Sequence, residues 1–154
     1  MNSDLARLYD HLEWADKAML AALGQAESHD EKAHKLIAHI ISAEHIWLTR
    51  IQSQPIGQTT AWDNLTLPEC QALSAQIISD YRTLIESTSE QHLNELVTYR
   101  NLQGIEFQTP LRDILLHVAL HGAYHRGQIA ASLRNSGLEP PSTDFILFSR
   151  HNNS

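Results

Sequence analysis

Apolar residues recur at three- and four-residue steps through most of this chain, the mark of helices that bury one face. Over residues 4–23 they are Leu5, Leu8, Leu12, Ala15, Met19 and Leu23, with Ser3 placed to cap the start and Gly24 to stop the helix. His11, beside Leu12 and near Trp14, reads as a surface or boundary residue. Ser28 with Glu31 three residues on reads as a capping box for a second helix reaching about Gln52. Its apolar positions, Leu36, Ile37, Ile40, Ile41, Ala43, Trp47, Leu48 and Ile51, cover more than half the circumference, so this helix should be central.

Residues 54–64 lack a period and carry turn residues, so they read as a loop, with Trp62 as a plug over the core. Thr66, Pro68 and Glu69 start a third helix whose inward face is Leu73, Ile77, Ile78, Tyr81, Leu84 and Ile85, ending near Ser87. Residues 90–96 allow one further helical turn. Residues 97–100 and 105–107 alternate around a turn-like Asn101-Leu102-Gln103-Gly104, which predicts a short hairpin that must lean on the helices. Thr109-Pro110 should open the last long helix, ending near Ser136-Gly137. Glu139-Pro140-Pro141 breaks the chain, and the apolar stretch after Asp144 should pack back on the helices. Four long amphipathic helices with short connections predict an all-α protein, a four-helix bundle with a short β-hairpin before the last long helix.

At 154 residues the chain fits a single domain, 1–154, with a sizeable core. A formal charge of −7 and no basic stripe exclude a nucleic-acid backbone as partner. No apolar run approaches the roughly 18 residues that cross a bilayer, and the start of the sequence has no secretory pattern, so the expectation is a cytoplasmic protein without a membrane partner. One cysteine, Cys70, excludes an internal disulfide. It falls in a helix's first turn, where the dipole can activate a thiol, but a small packing role is the simpler reading.

The candidate chemistry lies in the last long helix. His117, His121 and His125 stand four residues apart in an apolar run. At about 100° per residue, positions i and i+4 share a face, and two imidazoles so placed can close on one metal ion. Three cannot, because the outer pair is about 12 Å apart along the axis. One neighbouring pair can therefore ligate, with a further ligand from elsewhere, and spacing does not choose between 117/121 and 121/125. His39 is the best candidate for the further ligand, because it shares the buried side of the second helix with Ala43 and Trp47; a hydrogen-bonded core histidine is the rival reading. Glu44 sits about 140° round from His39, too far for both to reach one ion. Gly122 and Gly127 each cost roughly 1 kcal/mol against alanine in a helix, which suggests close packing or an open approach to the histidines.

Several of these stretches together resemble the DinB/YfiT-like superfamily of small metal-binding helical bundles. The run from His121 to His125-Arg126-Gly127-Gln128 is similar to that family's H-x-x-x-H-R-G-Q ending of the last bundle helix. His39, then Ala43-Glu44, then Trp47 resembles its second-helix pattern. Trp14-Ala15 and Gly137-Leu138-Glu139-Pro140-Pro141 followed by Asp144 also fit.

The resemblance implies a divalent metal, zinc or nickel, held by His39, His121 and His125, with His117 as a neighbour able to hydrogen-bond a ligand imidazole. It also implies a homodimer and thiol chemistry in stress or detoxification. In that chemistry a low-molecular-weight thiol is transferred to an electrophilic substrate, or used to isomerise one. Three imidazoles leave a tetrahedral ion one open position, as in catalytic zinc sites. The rival functions are a hydrolase using a metal-bound water, which needs a nearby general base, and a non-catalytic, stress-linked metal-binding or interaction protein. Arg126 and Gln128 read as structural, an arginine at a bundle end and a glutamine capping buried backbone. Tyr124 could bring a hydroxyl near the metal.

Overall fold

A computed structural model of the protein describes residues 2–57 and 64–152; Trp62, expected as a plug, lies outside them. The elements run α1 (Ser3–Gln25), α2 (Glu31–Ile51), α3 (Leu67–Ser87), α4 (Glu90–Leu93), β1 (Leu96–Arg100), β2 (Glu106–Pro110), α5 (Leu111–Asn135) and α6 (Phe145–His151). The four long helices pack on one another: α2 lies against α5 and α3, and α1 against α3 and α5. Among the described residues, no helix is long and apolar enough to cross a membrane.

The expected period fixes which side of each helix faces in. Ile37, Ile40 and Ile41 of α2 have no exposed surface, and each such side chain contributes roughly 1.5–3 kcal/mol on leaving water. They join Leu12 and Met19 of α1, Ile77 and Tyr81 of α3, and Ile114 and Leu115 of α5 in one core. Two buried tyrosines are satisfied by backbone: Tyr9 donates to the Leu115 carbonyl at 2.9 Å, and Tyr81 to the Glu44 carbonyl at 2.7 Å.

Several helix ends differ from expectation. Asn2, not Ser3, caps α1 through the Leu5 N–H, and the helix passes through Gly24 to Gln25. Asp30, not Ser28, caps α2, accepting from Ala33 N–H at 3.0 Å. The carboxylate wins because it also accepts from the Ser132 and Ser136 hydroxyls at 2.8 and 3.1 Å, tying the start of α2 to the end of α5. The Thr66–Glu69 capping box of α3 forms as expected.

The hairpin pairs Leu96–Arg100 with Glu106–Pro110 antiparallel, one residue longer toward β1's start and three toward β2's end than its alternation indicated. Its turn closes because the Asn101 side chain accepts from both Gln103 and Ile105 N–H, and Gly104 takes a φ of +81° that a glycine adopts without strain. Tyr99 sets the hairpin against α2, its ring 5.0 Å from that of Trp47. The stretch after Asp144 forms α6, which packs back on α1 through Phe148 beside Trp14 at 5.7 Å. That segment also buries His11, expected at the surface or the boundary: its Nε2 sits 2.7 Å from the Thr143 carbonyl, and Phe145 and Phe148 flank its ring.

Candidate metal centre

α5 and α2 cross so that three imidazoles meet. His39 Nε2 lies 3.1 Å from His121 Nε2 and 3.2 Å from His125 Nε2. His39 is buried, while His121 and His125 are half-buried. A tetrahedral ion with metal–nitrogen bonds of about 2.0–2.1 Å would hold its nitrogens about 3.3 Å apart, close to these separations. Hydrogen bonding alone fits the cluster poorly. A single proton on His39 Nε2 can point at one of the two facing nitrogens, whereas one cation satisfies all three lone pairs. The three histidines can therefore hold a metal ion, and the donor set suits zinc, nickel, copper or iron.

Two features prepare them. Burial, then the neighbouring imidazoles of His125, His39 and His117, pushes the His121 pKa down to about 4, so its ring is neutral at pH 7 and its lone pair is available. His125 Nδ1 donates to Gln128 Oε1 at 2.7 Å, which leaves Nε2 as the ligating atom. Gln128 thus orients an imidazole rather than capping buried backbone. Spacing could have shown this, since residues i and i+3 share a helix face. His117 stands outside the cluster, its ring 5.4 Å from Trp47 and 5.6 Å from His121. Tyr124 is largely exposed, its ring edge-on to His125.

Behind the histidines lies a buried charged group that the sequence reading placed differently. Arg126 is not at a bundle end: it is 2% exposed, and its Nη1 donates to Asp16 Oδ1 of α1 at 2.7 Å. Gly122 makes room for it, because a Cβ there would lie 2.9 Å from Arg126 Nη1. Gly127 meets open space, and nothing in the structure explains it. Glu44 is also buried, beside Asp16 and Arg126 and not among the clustered histidines. Burial first, then the charge and carboxyl contact of Asp16, pushes its pKa well above the usual carboxyl range, against the pull of Arg126. Burial and the neighbouring Asp16 carboxyl thus both oppose ionisation of Glu44, beside the Arg126–Asp16 ion pair. Asp16 carried a legible signal, a charge on the apolar stripe four residues from both Leu12 and Leu20.

His39 and His121 open on a cavity of about 340 Å³, walled also by Trp47 and Arg50 of α2 and the hairpin tip. A groove of about 320 Å³ between α1 and α3 has none of the three histidines in its walls. Cys70 belongs to neither: it has no exposed surface, and burial pushes its thiol up to about 11, which makes it a packing residue.

A mostly helical protein with a three-histidine cluster between two long helices, able to hold a metal ion, is the class these features define. The chain belongs to the DinB family, whose model matches residues 1–153. It is 28% identical to Protein DinB of Bacillus subtilis (strain 168), over 95% of this chain and 94% of that protein. It is 29% identical to Uncharacterized protein YizA of the same organism, over 70% of this chain and 67% of that protein.

Proposed function

We propose that this DinB-family protein is a cytoplasmic, metal-dependent enzyme that transfers a low-molecular-weight thiol to an electrophile, or uses it to isomerise one, in stress or detoxification chemistry. His39, His121 and His125 are its metal ligands in this reading, in a four-helix bundle formed by α1, α2, α3 and α5. One observation carries it: three Nε2 atoms within ligating distance of a common point stand beside an open cavity of about 340 Å³. A bound zinc or nickel ion supplies Lewis acidity that holds a thiol as its thiolate at neutral pH.

The chain's own residues do the rest. Gln128 fixes the ring of His125, the buried Arg126–Asp16 pair holds α5 against α1, and Trp47 walls the approach. In the transfer a sulfur–carbon bond forms, the electrophile's leaving group departs with its electron pair, and the thiol proton passes to solvent. Hydrolysis finds less support, since no carboxylate belongs to the cluster among the described residues and Glu44 faces Asp16 instead. The exposed row Leu116, Leu120 and Tyr124 on α5 supports a homodimer, which light scattering on the purified protein tests.

The deciding experiment incubates zinc- or nickel-loaded protein with glutathione or cysteine and an alkylating electrophile. Conjugation faster than with His121→Ala protein is expected; equal rates would remove the transferase reading.

A further inference from the structure

The cavity beside the histidines holds a cation that the proposed chemistry has not used. Arg50 sits on the same side of α2 as His39: eleven residues are three turns, a net offset of about 20° and a rise of about 16 Å. Helical side chains lean toward the N-terminus, so its guanidinium comes back over Trp47, one turn nearer the histidines. Its central carbon lies 4.6 Å from the Trp47 ring centroid and 5.3 Å from that of Tyr99. The two rings position the flat cation but supply no anion. Among the described residues no carboxylate pairs with Arg50, and its Nε is buried without a hydrogen-bond partner. Four of the seven other arginines are matched with carboxylates: Arg82 with Asp10 and Glu13, Arg100 with Glu106, Arg112 with Glu90, and Arg126 with Asp16.

An arginine held by aromatic faces at the wall of an open cavity is suited to two-point recognition of a carboxylate. The hairpin tip walls one side of the same cavity, so an anion there is less solvated than on a flat surface, which strengthens the pairing. We propose that Arg50 binds a carboxylate at the far end of the ligand whose other end reaches the histidine cluster. The inference rests on the thiol reading for the identity of the near end. It adds a length, on the order of 10 Å between sulfur and carboxylate, from the helical rise less the backward lean of the side chain.

Calorimetry on zinc-loaded protein tests it with three probes of equal chain length: mercaptooctanoate, neutral mercaptooctanol, and octanoate without sulfur. Mercaptooctanoate should bind about tenfold or more tighter than mercaptooctanol, and Arg50→Gln should erase that preference while zinc content and melting temperature stay unchanged. The short mercaptopropionate should show no dependence on Arg50, because it cannot span the distance. Equal binding of the two long thiols by the unsubstituted protein overturns the carboxylate site and leaves the thiol reading standing. Octanoate binding that depends on Arg50, with neither thiol favoured over it, overturns the thiol reading and keeps the carboxylate site. Binding of none of the probes overturns both.

Discussion

Arg126 and Asp16 meet at 2.7 Å with both side chains out of solvent, although 110 residues separate them. The pair joins α5 to α1 one residue beyond His125, so the stability of the fold and the placement of the histidines are coupled there. Removing one partner strands a buried charge, which costs about 3–5 kcal/mol. Asp16→Ala in a Glu44→Gln background, where no neighbouring carboxyl can ionise in its place, should lose that much in urea denaturation. Gly122→Ala gives a sharper test. Alanine adds about 1 kcal/mol of helix propensity, but its Cβ displaces the guanidinium that Gly122 accommodates. We expect Gly122→Ala to destabilise the protein with Arg126 present and to stabilise it in an Arg126→Met background. The same sign in both backgrounds would mean that the glycine does not serve the arginine.

Gln128 touches His125 Nδ1 and has no other part in the proposed chemistry, so its replacement separates orientation from ligation. Gln128→Leu keeps the side-chain bulk and removes the acceptor. Loss of such a hydrogen bond to a ligating imidazole lowers metal affinity about 10–100-fold. Zinc competition with a chromophoric chelator should show that loss, and Gln128→Glu should restore or exceed the original affinity. A fold as stable as the unsubstituted protein accompanies both outcomes, because the residue is half-buried on the open side of α5.

The long helices are legible in the sequence because a buried stripe repeats at 3.6 residues whatever lies beyond it. Their ends are less so. Ser28 with Glu31 satisfies the local capping rule as well as Asp30 does, and the choice is made by Ser132 and Ser136, 102 and 106 residues away. The histidine row shows the same division. The 117/121 and 121/125 pairs are identical as spacings, and which one faces His39 depends on where α2 crosses α5. That crossing brings 121 and 125 to His39 and leaves 117 against Trp47. Arg126 looked peripheral because a charged residue usually is; the space that buries it comes from Gly122, one turn earlier. Arg50 carried no signal at all, since its aromatic setting is completed by Tyr99 from the hairpin.

Asp30 makes a pH-dependent contribution. Burial raises its pKa, but the Ala33 N–H and the hydroxyls of Ser132 and Ser136 together outweigh that and hold it below the usual carboxyl value. A depressed folded pKa means that the stabilisation is fully present above the unfolded value of about 3.9 and is lost as pH falls through the folded one. Asp30→Asn should flatten this acid limb of the stability curve while retaining part of the helix cap. Asp30→Ala should lose about 1 kcal/mol at neutral pH from the cap alone. An unchanged acid limb in Asp30→Asn would remove the residue from the account.

His121 titrates with the opposite consequence for the ion-free protein. Its folded pKa of about 4 lies below the unfolded value of about 6.5, so between those values the unfolded chain takes up a proton that the folded chain refuses. By linkage the metal-free fold must lose stability as pH falls from about 6.5 toward 4, and the loss stops growing below the folded pKa. His121→Ala reduces this slope, leaving the share of His11 and His117, whose pKa values burial also lowers, and a zinc-free unfolding series from pH 8 to pH 4 reads the difference directly. Adding zinc should raise the melting temperature at pH 7 and do so progressively less toward pH 5, because unfolding below the free-histidine pKa is driven by protonation that competes with the ion for the same nitrogens. Should His121→Ala reproduce the original slope, the imidazole is not desolvated in the way its neighbours imply. Should zinc give the same gain in His121→Ala, the ion is held elsewhere.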